Sequence, residues 1–331
     1  MPRSPMYQPV DLRQSRPMQL HEGVWSTTTL VWDALVSAAT GDLDHLQQLV
    51  SATPPLRSCQ YDYTSPLQLA VRSGHGEIVD WLVEQGALDP DARTHPFLDP
   101  LVTYAEDRGE LAIAERLRAA LKEPGRAHAW GDTGAIQRGR SDEARALETL
   151  IDRGAHDEVR TLLNAHPALA KDPDAYWGEG LLSVPANNGD HDMLALLMSY
   201  GATVPLESKW GARYYFKHTA TAAWLLERGM SPEHRNWRQF RLLHDVAFTG
   251  EVDKAALLLQ WGAQIDAIDD DYASTPLGYA AHWGREDMVA FLLERGANPN
   301  AAGAPWATPL AWAQRKGHGA IVERLRGAEA G

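Results

Sequence analysis

Apolar positions along the chain recur with the spacing of amphipathic helices. In stretches such as 77–83 and 286–293, apolar residues fall at i, i+3 and i+4, with polar residues between them. This spacing gives each helix one apolar face, and a single helix pair buries only half of that face. Neighbouring pairs must cover the rest, so the pattern predicts an all-α array of helix pairs that folds as a whole.

One sequence pattern occurs twice near the C-terminal end, in residues 274–300 and 307–327. Pro276 returns as Pro309 and Gly284 returns as Gly317, in both cases after 33 residues. A fixed period in this range is typical of repeat architectures. Further glycines, mostly 33 to 35 residues apart, mark the earlier units: Gly41, Gly74, Gly109, Gly154, Gly189 and Gly250.

The opening Thr275-Pro276-Leu277, followed by Ala280 and Ala281, resembles the T-P-L-H-x-A signature of the ankyrin-repeat family. The resemblance covers residues 29–326 and is weakest in the middle. It implies an ankyrin-repeat solenoid of about nine partly degenerate repeats, built of stacked antiparallel helix pairs with short β-hairpin-like fingers. We expect an N-terminal arm or flexible cap (residues 1–28), the solenoid (29–326) with an insertion at 122–142, and a C-terminal tail (327–331).

Composition limits the classes of partner. The formal net charge of -13 argues against bulk binding to nucleic acid or to anionic membranes, which needs a basic surface. No stretch has the apolar length of a signal peptide or a membrane span. The single cysteine, Cys59, excludes an internal disulfide and suits a reducing compartment. We therefore expect a cytoplasmic monomer that binds neither nucleic acid nor membrane.

Aromatic residues concentrate where the family resemblance places partner contacts, at the finger tips and the ends of the inner helices. We predict that they line a concave groove. The predicted binding residues are Tyr61, Tyr176, Trp177, Trp210, Arg213, Tyr215, Phe216, Trp237, Arg238, Phe240, Phe248, Tyr272, His282 and Trp283. The alternative is that these large rings fill irregular spaces between degenerate repeats.

A basic segment falls in the same part of the chain. Residues 209–241 contain seven Lys or Arg and two Glu, a local balance of about +5. Arginines beside Trp237 and Phe240 could hold a carboxylate, a phosphate or an acidic peptide. Helical spacing spreads these charges over several faces, so an ordinary solvated surface is the alternative.

Binding without catalysis is the leading interpretation, with the groove engaging a protein segment and the basic patch reading an anionic group. The alternative is a small-molecule site in the same groove, for a sugar-like or other cyclic ligand, or a non-metal acid–base enzyme such as a lyase, isomerase or hydrolase. Its candidate catalytic residues are His282, Asp271, Glu179, His218 and Tyr215. No motif for a metal or a phosphate-binding loop is present, so neither a metal nor a cofactor is predicted.

Overall fold

The chain divides into two compact units, unit 1 (Met1–Arg138) and unit 2 (Gly139–Gly331). The structure is a computed structural model that describes residues 6–123, 125–130 and 135–329. Parts of the predicted arm, insertion and tail, namely residues 1–5, 124, 131–134 and 330–331, lie outside the described residues.

Unit 1 contains three helix pairs among its described residues. Their helices are α1 (Thr28–Thr40), α2 (Leu43–Ala52), α3 (Pro66–Ser73), α4 (Gly76–Glu84), α5 (Leu101–Asp107) and α6 (Leu111–Lys122). Helix α1 packs against α3, and α3 packs against α5, so the first helices of the pairs form one row.

Short strands complete unit 1. They are β1 (Pro17–Gln19), β2 (Trp25–Thr27), β3 (Arg93–Thr94), β4 (Asp99–Pro100) and β5 (Ala135–Ile136). Strand β1 lies between β2 and β5 and is antiparallel to both, while β3 and β4 form a two-stranded finger. The N-terminal segment therefore pairs with the end of the insertion, and its Leu12, Met18 and Leu20 are buried.

Unit 2 contains six helix pairs among its described residues. Their helices are α7 (Asp142–Asp152), α8 (His156–Ala165), α9 (Ser183–Asn188), α10 (His191–Ser199), α11 (Gly211–Tyr215), α12 (Thr219–Leu226), α13 (Leu242–Thr249), α14 (Val252–Gln260), α15 (Pro276–His282), α16 (Glu286–Glu294), α17 (Pro309–Lys316) and α18 (Gly319–Glu329). The first helix of each pair packs against the first helix of the next, from α7 through α17.

The residues of the repeat signature form the starts of helices. The hydroxyl of Thr275 accepts a hydrogen bond from the backbone N–H of Gly278 at 3.2 Å, which caps α15. Pro276 follows in the first turn, where a missing N–H costs nothing. Thr308 and Pro309 repeat this start in α17, where Thr308 accepts from the N–H of Ala311 at 3.2 Å.

Packing between repeats explains why glycine recurs at the end of the first helix. Gly284 has a φ of 67°, and a Cβ there would lie 2.7 Å from Cε1 of His318 in the next repeat. The His318 ring sits so close because its Nε2 hydrogen bonds to the carbonyl of His282 at 3.0 Å. Gly41 and His75 repeat the arrangement in unit 1, where His75 Nε2 lies 3.0 Å from the carbonyl of Ala39.

The predicted all-α class and the nine predicted repeats are confirmed by the three pairs of unit 1 and the six pairs of unit 2. Within the described ranges, no helix combines the length and the apolar character needed to cross a bilayer.

Candidate functional site

A tight turn in unit 2 presents one tryptophan to solvent. Tyr176 (φ 47°, ψ 49°) and Trp177 (φ 59°, ψ 29°) both have left-handed backbone, which residues with a Cβ adopt at a cost. The Trp177 side chain is 73% exposed, whereas Tyr176 is buried. Of the two predicted binding residues in this turn, Tyr176 is therefore buried and Trp177 is exposed to solvent.

Tyr176 holds this turn in place. Its backbone N–H donates to Glu148 Oε1 at 2.5 Å, and its hydroxyl donates to Asp152 Oδ1 at 2.9 Å. Burial, together with Asp152, raises the pKa of the Tyr176 phenol. Arg140 bridges Glu148 to Asp172, whose Oδ2 accepts from Arg140 Nη2 at 2.8 Å. These bonds hold the Tyr176 side of the turn against α7, while Trp177 projects from the surface.

Glu179 connects this turn to helix α11. Its carboxylate accepts hydrogen bonds from the backbone N–H groups of Lys209 at 3.0 Å and Trp210 at 3.1 Å, just before α11 begins. An anion at a helix N-terminus is favourable, yet burial raises the pKa of the Glu179 carboxyl despite these bonds. Glu179 therefore positions Trp210, which is half-buried beside the Trp177 turn.

Two exposed cationic residues lie in or just after helix α11. Arg213 is exposed, and its guanidinium carbon lies 5.4 Å from the centre of the Trp210 ring. Lys217, two residues after α11 ends, is also exposed. We group Trp177, Trp210, Arg213 and Lys217 as one candidate surface, the Trp177 surface, because Glu179, two residues after Trp177, bonds to the N–H groups that precede α11.

Three other cations of the predicted basic patch form ion pairs inside the unit. Arg238 pairs with Asp271 at 3.3 Å, Arg241 pairs with Glu233 at 2.7 Å, and Arg228 pairs with Glu227 at 3.3 Å. Arg238 and Asp271 are both buried, where an ion pair forms only with close compensation of charge. The segment 209–241 is therefore not one continuous basic surface.

Three predicted groove residues lie instead in the core. Tyr215 and Phe216 are fully buried at the end of α11, where the Tyr215 hydroxyl donates to the backbone carbonyl of Glu179. Burial raises the pKa of the Tyr215 phenol well above its usual range. In unit 1, Tyr61 is buried, and its hydroxyl donates to Asp11 Oδ2 at 3.2 Å. The prediction that these rings line a groove is wrong: they are buried, because degenerate repeats leave spaces that large side chains fill.

Trp237 and Tyr272 are buried as well. Trp237 lies in a turn that Asn236 closes by accepting from the N–H of Arg238 at 2.9 Å, and the backbone at Gln239 is left-handed. Tyr272 packs against Trp312, with ring centres 6.2 Å apart. Both rings are therefore buried and do not line an exposed groove.

The other predicted aromatic residues form half-buried pairs. Phe248 meets Trp283 edge to face, with ring centres 4.8 Å apart, and Phe240 lies 5.3 Å from Tyr279. His282 is buried against Trp312, with ring centres 4.8 Å apart, and burial lowers its pKa to about 2. A histidine held neutral in this way acts as a packing residue near neutral pH.

The candidate catalytic residues take part in separate structural contacts. Asp271 pairs with Arg238, Glu179 accepts from the N–H groups just before α11, and the Tyr215 hydroxyl bonds to the main chain. His218 is exposed, and its Nε2 lies 3.1 Å from the carbonyl of Asn187. Like the buried His282, these four side chains have separate contacts, and the contacts do not form an acid–base pair around a shared position.

One finger-tip residue was absent from the predicted site. Tyr63 in unit 1 is exposed. Asp62 (φ 49°) and Tyr63 (φ 61°) form a left-handed turn like that of Tyr176 and Trp177. The Thr64-Ser65-Pro66 sequence that follows starts helix α3, where Ser65 caps the N–H of Gln68 at 3.2 Å. Because this capping sequence fixes where α3 begins, it could have been used to predict that Tyr63, two residues before Ser65, lies at the finger tip.

Comparison with known sequences identifies the repeats. The family profile described as Ankyrin repeats (3 copies) matches residues 210–303 and 243–330, and the profile described as Ankyrin repeat matches residues 62–95. The matched segments lie in both units and include the Trp210 and Arg213 part of the Trp177 surface.

Similar proteins share only part of their length with this chain. It is 35% identical over 85 residues to the ARF GTPase-activating protein Git of Drosophila melanogaster, 26% of this chain and 12% of that protein. It is 34% identical over 137 residues to the Ankyrin repeat protein nuc-2 of Neurospora crassa, 40% of this chain and 11% of that protein. It is 36% identical over 101 residues to the mouse B-cell lymphoma 3 protein homolog, 30% of this chain and 22% of that protein. The match therefore spans less than a quarter of each relative.

Proposed function

Because the chain belongs to the ankyrin-repeat family, we propose that it is a binding protein that recognises a segment of a partner protein through the Trp177 surface of unit 2. The observation that carries the proposal is the 73% exposure of Trp177 on a left-handed turn that Tyr176 and Glu148 hold in place. A backbone kept in a costly conformation to present a large apolar ring favours a binding role.

The energetics of Trp177 suit a contact residue. Burying the face of an exposed Trp against a partner stabilises a complex by about 2–3 kcal/mol. Trp and Arg are also the residues most enriched among energetically dominant interface positions. Because the turn is already fixed, Trp177 loses little conformational freedom on binding.

Charge indicates the kind of segment. Arg213 and Lys217 are exposed, and Arg213 lies beside Trp210, on a chain whose net charge is -13. An acidic segment would meet favourable charge at this surface and repulsion over much of the remaining chain. We therefore propose a partner segment with an apolar side chain for Trp177 and one or more carboxylates for Arg213 and Lys217.

The relatives support repeat-mediated binding in general. The Drosophila protein is named as an ARF GTPase-activating protein, but the shared region is 12% of its length, so that activity belongs to the named protein. We further propose a cytoplasmic monomer, supported by a single cysteine, Cys59, whose burial raises the pKa of its thiol to about 12 and keeps it unreactive.

A selection of displayed random peptides on the full chain tests this function. We expect enriched peptides to combine acidic residues with an aromatic or aliphatic side chain. Trp177→Ala should weaken binding of those peptides at least about tenfold, the loss of roughly 1.4 kcal/mol. Trp261→Ala is the matched control, since Trp261 is 41% exposed at the end of α14.

Two outcomes would contradict the proposal. One is the absence of any enriched peptide. The other is a set of enriched peptides that bind wild type and Trp177→Ala equally, which would place the binding site elsewhere on the chain.

A further inference from the structure

Unit 1 contains a cavity of about 330 Å³ that is lined by residues from three segments, 58–68, 87–101 and 129–130. Tyr63, Asp91 and Arg93 line it and are also exposed, so the cavity opens to solvent. Ligand pockets typically measure about 300–1,000 Å³, and this volume lies at the lower end of that range. The cavity therefore suits one long side chain or a small molecule of similar size.

Acidic groups outnumber basic ones on the wall. Of the described residues that line the cavity, Asp89 and Asp91 are carboxylates and Arg93 is a cation. Arg93 Nη1 donates to the carbonyls of Pro90 at 3.2 Å and Ala92 at 2.8 Å, so its guanidinium lies against its own turn. Opposite charges attract more strongly where water is partly excluded, so this wall favours a cationic ligand over an anionic one.

The two carboxylates are accessible in different ways. Asp89 is half-buried, and its Oδ1 accepts from the N–H of Asp91 at 2.8 Å while its Oδ2 accepts from the N–H of Trp130 at 3.2 Å. These bonds fix its orientation, and each carboxylate oxygen has room for a second hydrogen bond. Asp91 is exposed, so a ligand can reach its carboxylate directly. The pair offers strong acceptors to the N–H groups of a cation.

An aromatic ring on the same wall also suits a cation. Tyr63 is 42% exposed, and its ring centre lies 4.8 Å from that of His95. A cation within about 6 Å of the face of an aromatic ring is attracted by the ring electrons. A guanidinium combines both kinds of contact, because it is flat enough to stack on a ring and donates two parallel hydrogen bonds to a carboxylate. Tyr63 and the two carboxylates thus favour the same ligand.

We propose that this cavity binds a guanidinium or primary ammonium group carried on a short carbon chain. Asp91 and Asp89 accept hydrogen bonds from the cation, the Tyr63 ring packs against it, and the accessible Ala92 and Ala129 contact the carbon chain. The cation belongs either to a free amine or to an arginine or lysine side chain of a partner protein. The site lies in unit 1 and does not rest on peptide binding at the Trp177 surface of unit 2.

Saturation-transfer NMR titration of the full chain at pH 8 tests the proposal, because a histidine with the ordinary pKa of about 6.5 is neutral at that pH. The cationic probes are n-butylguanidine, n-butylamine and the end-blocked peptides Gly-Gly-Arg-Gly-Gly and Gly-Gly-Lys-Gly-Gly. The matched neutral probe replaces the arginine with citrulline, which has nearly the same shape and no charge. We expect saturable binding of at least one cationic probe with a Kd of about 1 mM or tighter, and at least about tenfold weaker binding of the citrulline peptide.

The same titrations distinguish the two sources of the cation. Tighter binding of the arginine or lysine peptide than of the corresponding butyl compound supports a partner side chain, because the peptide backbone then adds contacts. Binding of the butyl compound that is equal or tighter supports a free amine. Either ranking supports a cation site in the cavity.

Variants separate the cavity from the overall charge of the chain. Asp91→Asn keeps the side-chain shape, removes the charge and should weaken binding at least about tenfold, with an unchanged Tm because the position is exposed. Asp44→Asn, at an exposed position on α2, changes the net charge equally and should bind as wild type does. Tyr63→Asn removes the ring but keeps a residue type that adopts left-handed backbone, and it should weaken binding about threefold.

Three results would overturn the proposal. The first is no saturable binding of any cationic probe up to about 50 mM. The second is binding of the citrulline peptide that is as tight as that of the arginine peptide, which would show that the cavity does not select positive charge. The third is binding to Asp91→Asn that is as tight as to wild type, which would place the cation elsewhere.

Discussion

Tyr176 and Trp177 are neighbours in one left-handed turn, yet the Tyr176 side chain is 7% exposed and the Trp177 side chain is 73% exposed. Tyr176 anchors the turn to α7 through Glu148 and Asp152, and in the proposed function the exposed Trp177 indole contacts the partner.

The anchoring role predicts a stability loss on removing the Tyr176 hydroxyl. Tyr176→Phe removes the hydrogen bond from the phenol to Asp152, whose exposed carboxylate is then solvated by water, so we expect a loss of about 0.5–1.5 kcal/mol in the free energy of unfolding, measured by urea denaturation. Tyr200→Phe is the control, because the Tyr200 hydroxyl bonds to Asn164 at an exposed site and its loss should cost less. Equal stability of wild type and Tyr176→Phe would show that the turn needs no such anchor.

Gly211 starts α11 at a point where no side chain fits. A Cβ there would lie 1.7 Å from Nε2 of His234, whose Nδ1 lies 2.6 Å from the carbonyl of Pro205. We expect Gly211→Ala to lower the unfolding free energy by about 1–3 kcal/mol through overpacking. Gly327→Ala in α18 meets no atom within 4 Å and should be neutral or stabilising. If the two variants unfold alike in urea, His234 does not occupy that space.

The buried Arg238–Asp271 pair predicts a folding role for a residue that sequence analysis placed in the groove. Arg238→Met leaves Asp271 buried without its cation, and we expect a loss of about 3–5 kcal/mol. Arg326→Met, which breaks the exposed pair with Glu323, should change stability by less than about 1 kcal/mol. Calorimetric unfolding measures both. An Arg238→Met variant as stable as wild type would return Arg238 to the list of candidate ligand contacts.

His244 predicts a pH dependence of stability. Its Nδ1 accepts from the N–H of Arg241 at 3.1 Å, so its proton is on Nε2, which donates to the carbonyl of Ala267 at 3.0 Å. Burial lowers the folded pKa of His244 to about 3, with Arg241 adding to the effect. The unfolded state, with a pKa of about 6.5, binds more protons between these values, so the His244 contribution is complete above pH 6.5 and is lost as the pH falls towards 3.

We therefore expect His244→Gln to lose less stability than wild type as the pH falls from 6.5 to 4. The difference between the two unfolding free energies should shrink by about 1.4 kcal/mol for each pH unit in that window. Asp269, whose folded pKa burial raises to about 7, acts in the opposite sense over the same window in both proteins and cancels from the difference. Parallel curves for wild type and variant would show that His244 is protonated in the folded state.

The repeat architecture could be predicted because its signals are local. A Thr-Pro sequence such as Thr275-Pro276 favours the start of a helix through contacts within its own first turn. Gly284 must remain small because His318 of the next repeat lies against it. These local requirements recur from repeat to repeat, so the repeats can be recognised in the sequence from their spacing of 33 residues.

The exposure of individual rings could not be predicted, because it depends on contacts between segments distant in the chain. Tyr176 and Trp177 occupy adjacent positions in sequence, yet the hydroxyl of the buried Tyr176 ring bonds to Asp152, 24 residues earlier in the chain. The same holds for Trp130 of the insertion, whose indole N–H donates to the carbonyl of Gly86, 44 residues earlier in the chain.

The most direct measurement of the Trp177 surface is 19F NMR of the full chain labelled with 5-fluorotryptophan. The Trp177 and Trp261 resonances are assigned from the Trp177→Phe and Trp261→Phe variants, and a selected peptide is then titrated into the labelled protein. We predict a saturable shift of the Trp177 resonance while the Trp261 resonance stays in place. A Trp177 resonance that does not move while the peptide binds would contradict the assignment of this surface as the binding site.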